Sequence, residues 1–177
     1  MLRSFRSVAV FDVSQTSGEP LPEVTTRLLG EEPVYAFRRL SVVAGELGFR
    51  INFTELPGQR NGECDFTTST IRIHNGLEPA QVAKTLAHEI GHAILHFPSE
   101  MPVEGMPRGL VELEAESVAY VVCHELGIDS SQYSLGYITN WAGDGKRAVH
   151  GIETSAARIR KASHVILDSL ENGIPRR

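Results

Sequence analysis

Leu86-Ala87-His88-Glu89-Ile90-Gly91-His92-Ala93-Ile94-Leu95-His96 is the stretch on which the reading of this chain turns. It carries an H-E-x-x-H pattern inside a strongly helical context. A spacing of four puts His88 and His92 one turn apart on one helix face. Two imidazoles so placed can share one tetrahedral zinc ion, and Glu89 lies beside them, within reach of a water on that ion. At this chain's own His and Glu frequencies, a chance match somewhere has odds of roughly 3 in 100, so the surroundings must support it. They do. Pro79 suits the first position of a helix, Phe97-Pro98 stops it, and Val82, Leu86, Ile90 and Ala93 form its apolar stripe. Thr85, His88, Glu89, His92 and His96 lie off that stripe, so the polar flank is expected to line a cleft.

Zinc needs a third protein ligand. A straight helix rarely aims three successive turns at one ion, which makes His96 an outer or packing residue. The better source is a second helix over residues 110–126, VELEAESVAY in its first half, which Gly127 ends. Its apolar stripe is Val111, Ala115, Val118, Ala119, Val122 and Leu126. By helical angle Glu112 lies closest to that stripe, Glu114 next and Glu116 farthest. A carboxylate at the edge of a buried stripe is costly unless paired or metal-bound. Glu112 is therefore the expected ligand, with Glu114 its rival. Glu116, one turn on, is placed to accept from the free ring N–H of a ligating histidine. At least one of the three is expected on a solvated face. Tyr120, His124, Tyr133, Tyr137 and His150 are the candidate donors to a tetrahedral oxyanion.

Working outward, residues 7–13 (SVAVFDV) read as a strand and 14–22 as a loop. A helix over 32–47 is stopped by Gly48, and 49–53 (FRINF) alternates as a strand. Residues 64–74 read as one strand or a hairpin arm, and the strand 68–74 is expected to present an edge to an extended peptide. Asn75-Gly76 turns the chain, residues 98–109 are a loop, 143–151 another, and 154–170 an amphipathic helix. Arg158, Arg160 and Lys161 are expected on the solvated face of that last helix. Strands come first and helices later, which is an α+β order.

The chain has 177 residues, 22 acidic and 17 basic, for a formal charge of −5. That length fits about one domain. The acidic balance argues against a chain whose main task is gripping phosphate backbones. Two cysteines, Cys64 and Cys123, are too few for a disulfide framework and suit a reducing compartment. The apolar run 8–11 is too short for a signal-peptide core, and no run approaches the roughly 18 residues of a membrane span. A cytoplasmic protein is expected.

HEIGHAILH followed by ELEAESVAY resembles the ImmA/IrrE-type metallopeptidases, whose downstream E-x-x-A-[N/E]-x-x-A helix is written here Glu112, Ala115, Glu116, Ala119. The run EAESVAYVVCHELGIDSSQYSLGYITNWAG is similar to the peptidase domain of ArdC-like antirestriction proteins. VAVFDVSQTSGEPLP resembles the end of their N-terminal DNA-binding domain. The resemblance implies a zincin-like α+β fold, with a small, mostly antiparallel sheet packed on the HExxH helix and a glutamate-bearing helix. It divides the chain into a remnant at 1–22 and a metallopeptidase domain at 23–177. It also implies one zinc ion on His88, His92 and Glu112, with Glu89 as general base and a protein or peptide as substrate. Membrane and nucleic-acid partners are not expected. The competing readings are a non-catalytic zinc-containing protein-binding module and, behind it, an antirestriction DNA-binding protein.

Overall fold

The computed structural model describes residues 32–98, 106–131, 134 and 145–172. Within them the order is α1 (Glu32–Glu46), β1 (Arg50–Thr54), β2 (Gly62–Asp65), β3 (Thr70–His74), α2 (Pro79–Leu95), α3 (Arg108–Glu125) and α4 (Gly145–Asn172). The fold is α+β, a three-stranded sheet with four helices among the described residues, compatible with a zincin-like architecture. The predicted strand 7–13, the segment 1–22, and Tyr133, Tyr137 and Trp141 lie outside the described residues.

Helix α2 is the axis of the molecule. It packs against α1, β2, β3, α3 and α4. Its apolar side, with Leu86 and Ile90 fully buried, meets Leu40 and Val43 of α1, Ile71 and Ile73 of β3, and Val118 and Val122 of α3 in one core. Ile159, Ala162 and Ile166 of α4 close that core. Pro79 opens α2 as expected. Gly48 and Gly127 take positive φ (85° and 73°) just past α1 and α3, a conformation that costs glycine little and ends both helices.

Three expectations change. The stretch 64–74 is two strands. Asp65 Oδ1 accepts from the N–H groups of Thr67 and Thr68 (2.9 and 3.2 Å), and this side-chain turn reverses the chain between β2 and β3. The sheet is mixed, order β1-β3-β2, with β1 parallel and β2 antiparallel to β3. β3 is thus the central strand, and among the described residues β2 is the outer strand on the side of α2. The last helix begins at Gly145, so Gly151 stands inside it. A glycine costs a helix interior about 1 kcal/mol, a weak bias that tertiary packing overrides.

Where α2 crosses α3, Gly91 faces the backbone. A Cβ there would lie 3.3 Å from both Cα and O of Ala115. Backbone cannot swing aside as a side chain can, so Gly91→Val must part the helices. It is expected to lower stability by about 1–3 kcal/mol, read as a fall in the urea midpoint at constant m-value.

Candidate metal centre

The polar flank of α2 faces the first turns of α3, and the two enclose a seam of imidazoles and carboxylates. His88 and His92 point at each other with their Nε2 atoms 3.1 Å apart. Glu112 Oε2 lies 3.4 Å from His88 Nε2 and 3.6 Å from His92 Nε2. These three residues form a group whose ligand atoms all fall within 4.8 Å of one another, and they could hold a metal ion.

The hydrogen bonds behind the rings decide which nitrogens are free. Glu116 Oε2 lies 2.9 Å from His88 Nδ1. A carboxylate only accepts, so Nδ1 carries the proton and neutral His88 presents a lone pair at Nε2. On the other ring, His92 Nδ1 meets His96 Nδ1 at 3.0 Å, and His96 Nε2 meets Glu114 Oε2 at 3.0 Å. In neutral rings that order likewise leaves His92 Nε2 a lone pair. With both rings neutral, two lone pairs and a carboxylate oxygen converge with no donor between them. A cation resolves that repulsion. Tetrahedral zinc, with bonds of about 2.0–2.1 Å, keeps its ligand atoms roughly 3.3 Å apart, which matches the spacings here.

The electrostatics point the same way. Burial would lower the His88 pKa, but the Glu112 and Glu116 carboxylates outweigh it and hold it at about 9. Without a metal, then, a proton occupies this cluster. In that protonated, metal-free cluster, hydrogen bonds from His88 and His92 keep Glu112 far below the usual carboxylate range, against burial. Burial pushes His92 and His96 down. Burial also raises Glu89 to about 7, with His88 opposing and Glu112 adding to the rise.

These groups line one side of a cavity of about 600 Å³. Glu89, Thr85 and Lys84 of α2 stand beside the histidines, Arg108 and Glu116 come from α3, and β2 forms the facing wall with Gly62 to Cys64. Gly62 sits directly over the glutamate: a Cβ there would come within 2.6 Å of Glu89 Oε1 and of Thr85 Cγ2. The absent side chain is what lets the outer strand of the sheet approach Glu89.

The second helix is arranged differently from its sequence pattern. Glu112 is the most accessible of its three glutamates (side chain 23% exposed), and Glu114 and Glu116 are buried. None lies on a solvated face. Glu114 does not join Glu112; it turns away to His96 and, at 3.3 Å, to Arg158 Nη2 of α4. Arg158, expected on the solvated face, thus reaches inward, while Arg160 and Lys161 are exposed. Glu116 tolerates burial because Lys84 Nζ lies 2.8 Å from its Oε2, opposite His88. Tyr120 and His124 stack on each other farther along α3 and are not among the residues lining the cavity; His150 is exposed. Lys84 and Gly62 escaped the sequence reading. Lys84 stands one turn before His88, and that spacing was the available signal; Gly62 carried none. Cys64 and Cys123 are free thiols, and burial pushes both up to about 12.

The α+β fold thus brings two histidines and a glutamate, which could hold a metal ion, beside a buried carboxylate. Residues 44–123 match the family model of the IrrE N-terminal-like domain, Peptidase_M78, which supports the ImmA/IrrE family for that part of the chain. An uncharacterized protein of Bacillus anthracis is 30% identical over 87 residues, 49% of this chain and 14% of that protein. The chain thus spans about one seventh of that relative's length. No solved structure matches this chain. No helix among the described residues is long and apolar enough to cross a membrane.

The Lys84–Glu116 pair gives a test of the seam. Removing one partner of a buried pair leaves the other charge uncompensated, at about 3–5 kcal/mol. Lys84→Met is expected to lose about that much stability in urea denaturation of the metal-free protein. Adding Glu116→Gln should return a substantial part of it.

Proposed function

We propose that this chain is a zinc-dependent metallopeptidase acting on one or a few regulatory proteins. The observation that carries the reading is the convergence of the His88, His92 and Glu112 ligand atoms at zinc-like spacing beside Glu89, on a cavity walled by β2, the outer strand of the sheet among the described residues. His88, His92 and Glu112 would hold one zinc ion, and zinc so held supplies Lewis-acid activation of a water and of a substrate carbonyl. Glu89 is the general base. Its carboxylate is held nearly neutral in its proton affinity by burial, so it can accept the proton of that water and return it to the leaving amine. The ion's positive charge would draw the Glu89 pKa downward from about 7, toward the ionised form that a base requires.

The substrate backbone would lie along β2. An extended peptide can add to that edge through main-chain hydrogen bonds, and the absence of a side chain at Gly62 brings the peptide bond close to Glu89. Glu116 and Lys84 keep His88 oriented while this happens. The likeness of residues 114–143 to ArdC-like peptidase domains supports that branch of the group. Two free cysteines suit action in the cytoplasm.

Elemental analysis of the purified full chain is the direct test. About one zinc per chain is expected, and none in His92→Ala. Glu112→Ala should weaken zinc binding far more than Glu114→Ala; equal retention in the two would sink the ligand set. Glu89→Gln should keep the zinc and cut hydrolysis of a quenched-fluorescence peptide library about 10²–10⁴-fold. Stoichiometric zinc with no cleavage by the parent, of peptides or of cell proteins, would replace the peptidase with a zinc-containing protein-binding module.

A further inference from the structure

The two imidazoles of the HExxH pair are held from behind in different ways. His88 rests directly on Glu116, a residue of the facing helix. His92 rests on a longer chain that ends on a third helix. Its Nδ1 is 3.0 Å from His96 Nδ1, His96 Nε2 is 3.0 Å from Glu114 Oε2, and that oxygen is 3.3 Å from Arg158 Nη2 of α4. The same Arg158 nitrogen donates to the carbonyl of Leu95, at the last turn of α2, over 2.9 Å.

Each link dictates the next. Glu114 Oε2 lies between Arg158 Nη2 and His96 Nε2, and a carboxylate oxygen paired with a guanidinium accepts, so the proton of neutral His96 sits on Nε2. His96 then offers only a lone pair at Nδ1, so His92 must donate from its own Nδ1. That leaves His92 Nε2 unprotonated and turned toward His88 and Glu112. The opposite tautomer of His96 would leave His92 with its proton on the wrong nitrogen.

We propose that His96, Glu114 and Arg158 are positioning residues that together hold His92 in its metal-binding tautomer, so that helix α4 is a working part of the metal centre. The proposal rests on reading His88, His92 and Glu112 as metal ligands. Two features separate it from plain packing. His96 and Glu114 have side chains only 3% and 0% exposed, and an apolar pair would fill that space without the desolvation cost of a carboxylate. Arg158 Nη2 also serves acceptors on two different helices at once, the carbonyl of Leu95 on α2 and Glu114 on α3. Arg158 lies outside the family-matched segment 44–123, so that segment would depend on α4 for its full metal affinity.

The test uses the ¹⁵N-labelled full chain. Long-range ¹H–¹⁵N correlations report which ring nitrogen of each histidine is protonated, and chelator competition gives the zinc affinity. The parent should show His92 protonated at Nδ1 both metal-free and zinc-loaded. His96→Phe should weaken zinc binding about 10–100-fold. Arg158→Gln should weaken it less, by about 10-fold, and mix the His92 tautomers. Arg158→Lys should recover part of the loss, and Arg160→Gln on the same helix should change nothing. If His96→Phe does not fold by circular dichroism, Arg158→Gln carries the test, because its side chain is 28% exposed. Parental zinc affinity and parental ring shifts in a folded Arg158→Gln would overturn the proposal. So would a proton on Nε2 of His92 in the metal-free parent. A parent that binds no zinc yet keeps the Nδ1 proton, lost in Arg158→Gln, would sink the metal reading and leave the relay standing.

Discussion

The described helices and strands are arranged around a polar seam buried between α2 and α3. Three imidazoles and the buried glutamates meet there, and each needs a partner because a lone buried charge is expensive. The partners are supplied pairwise: Lys84 for Glu116, His96 and Arg158 for Glu114, and His88 with His92 for Glu112. The seam can form only if the helices come close, and Gly91 against the Ala115 backbone is where they do. Packing and site chemistry are thus one constraint seen from two sides.

The same constraint explains why the donors converge. Both histidines have their outer nitrogens committed to hydrogen bonds, so their inner nitrogens are left as lone pairs aimed at one point. A site built in this way is pre-organised for a cation, with ring orientation and protonation set by the supports behind the ligands rather than by the ion. Without a metal, a proton among these groups lets the two imidazoles hydrogen-bond Glu112 and hold it ionised, while burial raises Glu89 to about 7. Proton affinities pushed apart in this way fit the two tasks proposed for these carboxylates, one binding charge and one moving protons.

The sheet contributes by position more than by mass. Its outer strand β2 passes over Glu89 at a residue with no side chain, and the cavity opens between that edge and the two helices. A peptide laid there would meet main-chain donors and acceptors on one side and the polar flank of α2 on the other. The family match covers the segment from the end of α1 to the end of α3, which holds this wall and the three converging donors; the relay to Arg158 extends beyond it.

Periodicity and local chemistry were enough to place α1, α2 and α3 within a residue or two, and to put His88 and His92 on one face toward which Glu112 converges. Those features depend on 3.6-residue spacing and on stop signals such as Gly48 and Pro98, all of which are local. The helical-angle reading failed for the buried glutamates. It ranks positions against one apolar stripe, whereas α3 is enclosed on more than one side and buries Glu114 and Glu116 as well. The central place of β3 and the direction of Arg158 were equally out of reach. Strand order and the docking of α4 depend on contacts between residues far apart in the chain, such as Arg158 with Leu95. One-dimensional pattern specifies which residues can be ligands; the long-range packing of α3 and α4 on α2 specifies what holds them in place.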